Sequence, residues 1–173
     1  MNYIFNKKNN TKFVTLHFLF LMGLSIIGIA DASYLTIKHY SDTGINCSIF
    51  NGCELVTTSL YSTIFNIPVA IFGIVFYILV FALIFLFSKF RNKKFLFLLA
   101  VMTGVGFLIS MYFIYVQAFI LNAYCLYCLV SAIISTVLFI LSMVIVIQYN
   151  NTADITDKKK LNEIKNNEIN TRI

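Results

Sequence analysis

The chain has 173 residues, of which 60% are hydrophobic and only 12% are charged. Soluble domains are about 45–50% apolar and about 25% charged, so this composition excludes an ordinary water-soluble domain and indicates a single-domain integral membrane protein. The net charge of +6 is not arranged as a basic stripe interleaved with aromatic residues, which gives no reason to expect nucleic acid as a partner.

Four apolar stretches are each long enough to cross a hydrocarbon core, which takes about 20 residues of helix. They run from about residue 13 to 37, 67 to 87, 95 to 121 and 125 to 147. The sequence therefore predicts an all-α integral membrane protein with four transmembrane helices. On this basis the chain divides into an N-terminal segment 1–12, a membrane domain 13–148 and a polar tail 149–173. The tail is charged and rich in Asn, which is typical of a frayed helix or a disordered segment.

The basic residues favour one orientation in the membrane. Except for Lys38, they all lie before the first span, between the second and third spans, or after the fourth span. The positive-inside rule then places both termini in the cytoplasm. The loop from about Lys38 to Asn66 and the short turn before the fourth span lie outside. The cysteines are Cys47, Cys53, Cys125 and Cys128. All four are therefore predicted at the outer face, where an even cysteine count fits an oxidising compartment.

A cleaved signal peptide is the competing interpretation of the first span. Ala30-Asp31-Ala32 resembles a cleavage site, but the preceding apolar run from Phe13 is longer than the usual 7–15 residues. Cleavage would leave the orientation of the cysteines unchanged.

The outer loop contains a turn and a short apolar segment. Asn51-Gly52 is a turn signal between Cys47 and Cys53, so these two sulfur atoms can approach each other. The segment from Glu54 to Phe65 is too short to span, and it predicts an amphipathic half-helix lying on the membrane helices. Its apolar side carries Leu55, Val56, Leu60 and Ile64.

Ser59 falls on the inner side of this predicted half-helix, between Leu55 and Val56 on the helical wheel. A buried hydroxyl needs a hydrogen-bond partner. The partner is either a backbone carbonyl one turn back, or a ligand or cysteine sulfur.

The most informative motif is C-x-x-C at the head of the fourth span. Cys125 begins this helix, so unpaired backbone N–H groups and the positive end of the helix dipole favour its thiolate. Cys128 lies one turn deeper in the bilayer. Two inert disulfides or a zinc site formed by the four cysteines remain alternatives. Haem attachment would require His after the motif, and Leu129 stands there instead.

Two further features are weaker. Asp31 lies in the outer half of the first span, where an acid is a functional candidate by default. We favour pairing with Lys38, or snorkelling to the interface, for this side chain. The stripe of Met111, Tyr115 and Phe119 on the third span is expected to pack against neighbouring helices, and it is also a candidate lining for a quinone pocket.

These residues together carry a resemblance to a known family. The spacing C-x5-C-x5-S of Cys47, Cys53 and Ser59, the segment SLYSTIFNIPVAIFG and the motif AYCLYC resemble the vitamin K epoxide reductase family in its bacterial branch. The resemblance covers about residues 15 to 148. It implies a four-helix bundle around a quinone, with an outer loop that carries the half-helix.

The resemblance also implies roles for individual residues. Cys47 and Cys53 resemble the loop pair that exchanges electrons with a partner. Cys125 and Cys128 resemble the pair at the quinone, and Ser59 resembles the hydroxyl of the loop helix. Ala132 departs from animal members, which have tyrosine at this position, so action on vitamin K epoxide is not expected.

The expected function is that of a quinone-dependent membrane thiol oxidase in the cytoplasmic (inner) membrane. It would reoxidise a secreted or periplasmic thioredoxin-like protein and reduce a ubiquinone- or menaquinone-type acceptor in the lipid bilayer. No thioredoxin-like domain is found within this chain, so we expect the partner to be a separate protein. The alternatives are a structural or zinc-binding four-helix membrane module, or an unrelated quinone-linked oxidase of the DsbB type.

The predicted topology can be tested with a membrane-impermeant thiol reagent. On intact cells, after reduction, the reagent should label Cys47, because the outer loop faces the medium. A cysteine introduced at Asn92 should stay unlabelled, because it lies in the cytoplasmic loop. The opposite labelling pattern would invert the topology and remove the argument for an oxidising compartment.

Overall fold

The computed structural model describes residues 2–41, 52–90 and 92–171, with side chains for residues 16–41, 52–90 and 92–151. In these ranges the α-helices are α1 Asn2–Tyr40, α2 Cys53–Thr58, α3 Val69–Phe90, α4 Lys93–Tyr115 and α5 Leu126–Thr171. Four helical segments are long and apolar enough to cross a membrane: Leu16–Tyr40, Val69–Phe90, Lys93–Ile120 and Leu126–Asn151. The prediction of an all-α membrane protein with four spans is confirmed. The polar tail continues α5 as helix as far as Thr171.

The four long helices form a closed ring of neighbours. Helix α1 packs against α3 and α5, and α4 packs against the same two helices. The larger of two buried apolar clusters lies between the long helices, and its most deeply buried members are Leu21, Val80, Ile84, Leu99 and Leu138. Many large apolar side chains elsewhere on the spans are exposed, as expected for surfaces that face lipid.

One close approach in the bundle depends on a glycine. Gly28 of α1 faces Tyr77 of α3, and a methyl group at Gly28 would lie 2.5 Å from the tyrosine ring. Tyr77 is only 2% exposed, and its hydroxyl donates a hydrogen bond to the Ser131 carbonyl of α5 at 3.0 Å. The absence of a side chain at Gly28 therefore lets Tyr77 reach across the bundle to α5.

The outer loop is less helical than the sequence suggested. A single half-helix from Glu54 to Phe65 was expected, but α2 ends at Thr58 and a 3₁₀ turn, Leu60–Ser62, follows it. Ser59 ends α2 with extended backbone angles (φ −66°, ψ 160°), and its hydroxyl donates to the Val56 carbonyl at 2.8 Å. Serine hydroxyls compete with the backbone for such carbonyls, which favours the end of a helix over its continuation.

The predicted apolar side of the half-helix is also mostly wrong. Val56 is buried, with 8% of its surface exposed. Leu55, Leu60 and Ile64 are instead 52%, 94% and 45% exposed. The helix ends before Leu60 and Ile64, so these residues do not share a face with Val56.

A small hairpin connects the loop to α3. Strand β1, Thr63–Ile64, pairs antiparallel with β2, Ile67–Pro68. The two residues between them, Phe65 and Asn66, have positive φ angles of 52° and 63°. Positive φ at both positions is the geometry of a two-residue type I′ turn, which matches the twist of the paired strands.

The close packing at Gly28 generates a stability prediction. Gly28→Ala should lower the free energy of unfolding by about 1–3 kcal/mol, because the methyl group overpacks a site whose neighbouring ring is held by a hydrogen bond. Thermal unfolding of the purified protein in detergent would measure the change.

Gly23 on the same helix is the matched control. A methyl group there meets no atom within 4 Å, and alanine is the better helix former by roughly 0.5–1 kcal/mol. Gly23→Ala should therefore leave the midpoint temperature of thermal unfolding unchanged or raise it. Equal midpoints for the two variants would contradict the overpacking argument.

Candidate functional site

The turn between α4 and α5 is built from an unusual helix end. α4 passes into a π-helical turn, Val116–Ile120, and Asn122 then takes a positive φ of 47°, which reverses the chain. The backbone N–H of Ala123 donates to the Gln117 carbonyl at 3.2 Å. π-turns within helices are frequent at functional sites. Here the turn sets Gln117 close to the first residues of α5.

Gln117 fixes the position of Cys125. The Gln117 side chain is 2% exposed, and its Oε1 accepts a hydrogen bond from the backbone N–H of Cys125 at 2.9 Å. The first N–H groups of a helix have no partner within the helix, and a buried one without a partner costs about 1–3 kcal/mol. Gln117 therefore both satisfies this group and holds Cys125 at the head of α5.

Cys53 approaches the same helix terminus from the loop. The backbone N–H of Leu126 lies 3.4 Å from the Cys53 sulfur, which accepts its hydrogen bond. Cys53 is 1% exposed and is disulfide-bonded. Cys47, which the sequence suggested as its companion, lies outside the described residues.

Gly52 makes this approach possible. A methyl group at Gly52 would stand 2.9 Å from the Ala123 Cβ and 3.0 Å from the Tyr124 backbone nitrogen. A backbone atom cannot move aside as a flexible side chain can, so a larger residue at Gly52 would push α2 away from α5. The loop therefore packs directly on the turn that precedes Cys125.

The cysteines of the C-x-x-C motif are both free thiols. Cys125 is 0% exposed and packs with Cys53 and Val56 in a small apolar cluster. A hydrogen bond from the Cys128 thiol is the main cause that lowers the pKa of Cys125 to about 7. Burial opposes this change in the pKa, while the backbone N–H groups of Tyr127 and Cys128 add to it. A sulfur of this kind is a thiolate in a large fraction of molecules near neutral pH.

A cavity of about 230 Å³ lies between the outer loop and the long helices. Its wall is mostly apolar, with aromatic side chains at Phe72, Phe76 and Phe113. Cys128 lines the cavity, whereas Cys53 and Cys125 do not. The C-x-x-C motif therefore has one sulfur next to the loop and one sulfur on the cavity.

A few polar groups interrupt the apolar wall. Asp31, Ser59, Tyr77, Gln117 and Ser131 all line the cavity. The hydroxyls of Tyr77 and Ser131 lie 2.8 Å apart. Of the two partners expected for the Ser59 hydroxyl, the structure has the backbone carbonyl, to which the hydroxyl donates its hydrogen bond. The hydroxyl oxygen can still accept a hydrogen bond from a ligand. An apolar cleft with a few placed polar groups is the usual form of a small-molecule site, and its shape and chemistry fit a quinone ring.

The quinone-pocket candidates on α4 and its continuation lie outside this cavity. Met111, Tyr115 and Phe119 are 40%, 55% and 72% exposed, and none of them lines the cavity. The cavity is instead bordered by a different face of the helix, at Gly106, Ser110 and Phe113. The stripe therefore has a large share of its surface exposed rather than turned into the cavity.

Sequence reasoning missed the polar residues of the wall. Gln117, Tyr77 and Ser131 were not selected, although Gln117 is an uncharged polar residue within a predicted span. Such residues are often functional or hydrogen-bonded between helices, and this signal could have identified it. Among the residues whose side chains are described, no three His, Cys, Asp or Glu come together as a metal site would require.

A comparison with known protein families gives one match. The model of the vitamin K epoxide reductase family matches residues 19–143, which is well over half of the chain. The matched range includes all four cysteines, Gln117 and the residues of the cavity wall. No curated protein matches the chain.

The lowered pKa of Cys125 predicts the pH dependence of its reactivity. The thiolate fraction of a group with a pKa of about 7 rises about tenfold between about pH 6 and about pH 8. Alkylation of Cys125 by a small membrane-permeant reagent should therefore accelerate as the pH rises through 7 and level off above about pH 8. Peptide mass spectrometry of the reduced protein would measure the rate.

Cys128→Ala tests whether the Cys128 thiol is what lowers the pKa of Cys125. It removes the hydrogen bond that lowers the pKa of Cys125, so the midpoint should move upward, toward the value of about 8.5 for an ordinary thiol. An unchanged midpoint in this variant would show that Cys128 does not lower the pKa of Cys125.

Proposed function

Since the chain belongs to the vitamin K epoxide reductase family, whose members are membrane thiol–disulfide oxidoreductases, we propose that it is a quinone-dependent thiol oxidase. Its electron donor is a thioredoxin-like dithiol protein, supplied as a separate chain on the outer side of the membrane. Its electron acceptor is a quinone dissolved in the bilayer. Both termini lie in the cytoplasm in this proposal, and the membrane is the cytoplasmic (inner) membrane.

The spatial order of three cysteines is the observation that carries the proposal. The Cys53 sulfur lies against the backbone of Leu126 at the head of α5. Cys125 is in the same small cluster as Cys53, and Cys128 lies one turn further along, on the cavity wall. Cys53, Cys125 and Cys128 thus follow one another from the loop toward the membrane interior, which is the order that electron transfer along the sulfur atoms requires.

The proposed relay moves two electrons by thiol–disulfide exchange. The partner's dithiol is oxidised to a disulfide as it reduces the Cys47–Cys53 bond. Cys53 then attacks Cys125 of an oxidised Cys125–Cys128 bond, so that a Cys53–Cys125 bond forms and Cys128 leaves as the free sulfur. Cys47 next attacks Cys53, which restores the loop disulfide and leaves Cys125 and Cys128 as a dithiol. The described state, with Cys53 in a disulfide and the C-x-x-C pair free, corresponds to this last species.

The cavity supplies a place for the acceptor. A quinone bound there would take two electrons from the Cys125–Cys128 dithiol and gain two protons, while the dithiol loses two protons and re-forms its disulfide. The aromatic wall excludes water and accommodates a flat ring. Ser59, Tyr77 and Ser131 carry the hydroxyl groups that would bond the oxygen atoms of the ring. Gln117 acts as a positioning residue, because it holds the backbone of Cys125.

The experiment that tests this function uses the purified protein, a thioredoxin-like dithiol protein and a soluble quinone analogue. The wild-type protein should oxidise the dithiol only when the quinone is present. Cys128→Ser should lose turnover, because the Cys125–Cys128 disulfide can no longer form. In this variant the Cys125 thiolate can still attack the loop disulfide at Cys53 and release Cys47 as a thiol, so a Cys53–Cys125 crosslink should form that no Cys128 sulfur can break. Peptide mapping under non-reducing conditions would detect the crosslink.

The alternatives predict other results. A dominant Cys47–Cys125 crosslink would exchange the two loop roles, and the absence of any link from the loop to Cys125 would exclude the relay. Tightly bound zinc without thiol oxidation would favour a metal-binding module. Cys47→Ser serves as the matched variant, since it should abolish oxidation of the protein partner while leaving the Cys125–Cys128 pair intact.

A further inference from the structure

A partly buried acid in the first membrane helix has no role in the relay described above. Asp31 lies in α1 within the span Leu16–Tyr40. Its Oδ2 atom is buried and has no hydrogen-bond partner among the described residues. Unsatisfied buried polar atoms are rare in folded proteins, and acids inside a membrane are costly and commonly functional. The unbonded oxygen of this acid therefore needs an explanation.

Asp31 and Cys128 line the same cavity. The lining contains no lysine or arginine, so no cation of the described wall neutralises the carboxylate. Lys38, further along the same helix, instead stands over the Tyr34 ring at 6.0 Å. The cavity therefore brings a carboxyl group and the Cys128 thiol to one apolar wall.

The other titratable groups around Asp31 come from every packed element except α4. They are His39 on its own helix, Tyr61 in the loop, Tyr77 on α3, and Cys125, Tyr127 and Cys128 at the head of α5. From α4 and its π-turn, the cavity receives only uncharged side chains, such as Ser110 and Gln117. Of these groups, Cys125 and Cys128 each release a proton during the proposed reaction, and Cys128 is the one that shares the cavity with Asp31.

We propose that Asp31 is the proton carrier of the cavity: it accepts the proton that the Cys128 thiol loses on oxidation and gives it to an oxygen of the reduced acceptor. This inference rests on the proposed function. When the Cys125–Cys128 disulfide forms, two sulfur–hydrogen bonds are lost, two electrons pass to the quinone, and the resulting hydroquinone gains two protons. One proton passes through Asp31. Cys125 releases the other to water at the loop end, and the acceptor takes its second proton from water.

The assignment explains why an acid without a partner is retained in this position. A carboxylate held in a salt bridge would keep its charge and could not take up a proton readily. A carboxylate in an apolar cavity can exist in either state, which is the property a proton carrier near neutral pH requires. A purely structural acid would instead be expected to have its oxygens satisfied.

Infrared difference spectroscopy tests the inference without quinone or turnover. The spectrum of the protein with the C-x-x-C pair reduced is compared with that of the protein with the pair oxidised by a small disulfide. The wild type should show a carbonyl stretch of a protonated carboxylic acid that changes between the two states. The band should be absent in Asp31→Asn and shifted in frequency in Asp31→Glu. A wild-type spectrum without such a band, or the same band in Asp31→Asn, would overturn the inference.

Quinone-dependent turnover provides the second measurement. Asp31→Asn should lower it by about a hundredfold, the usual contribution of a positioned acid–base group. Asp31→Glu should retain activity within about tenfold of the wild type, because it keeps a carboxyl group in the cavity. Glu54→Gln is the matched control. This acid is exposed and does not line the cavity, so its loss should leave turnover unchanged.

The failures of the two proposals are distinguishable. If the wild-type protein oxidises the dithiol with quinone and Asp31→Asn does so at the same rate, Asp31 is not the proton carrier and the proposed function stands. If the wild-type protein shows no quinone-dependent oxidation, the proposed function fails, and the infrared band alone decides whether Asp31 follows the thiol state. Exchange between the partner dithiol and the loop cysteines should be normal in Asp31→Asn, which shows that the variant is folded.

Discussion

The arrangement depends on how the first backbone N–H groups of α5 are satisfied. A helix that starts inside a protein leaves these groups without partners, and burial makes that costly. Here the N–H of Cys125 is bonded by Gln117 from the end of α4, and that of Leu126 by the sulfur of Cys53. One requirement of backbone chemistry thus brings a turn, a loop and a helix together, and it places the sulfur atoms of Cys53 and Cys125 in one cluster.

The same constraint explains why the two ends of the bundle differ. Far from the loop, apolar side chains such as Leu21, Ile84 and Leu138 are fully buried and fill the space between the helices. Near the loop, Tyr77 crosses from α3 to Ser131 and the cavity opens beside it. The buried apolar cluster packs the helices against one another, and the cavity lies between the helices and the loop.

Hydropathy and charge were enough to predict the four spans, because burial in lipid requires long apolar helices whatever the details of packing. The position of Cys125 at a helix start was also readable, since the apolar run begins directly after it. The sequence did not show which face of each helix is buried in the bundle. Met111, Tyr115 and Phe119 form a regular stripe, but in a bilayer both the lipid-facing and the inward-facing sides are apolar, so the period does not say which side is buried. Gln117 could be placed against Cys125 only once the π-turn was known.

The two ends of the C-x-x-C motif lie in opposite electrostatic environments. At Cys125 the helix terminus and its N–H groups favour a negative sulfur. In the cavity beside Cys128, Asp31 already supplies a group that can carry negative charge, and no cation of the described wall offsets it. Two negative charges close together in apolar surroundings are strongly disfavoured. Negative charge is therefore favoured on the loop side of the motif over the cavity side, and in the proposed reaction this favours the transfer of protons together with electrons.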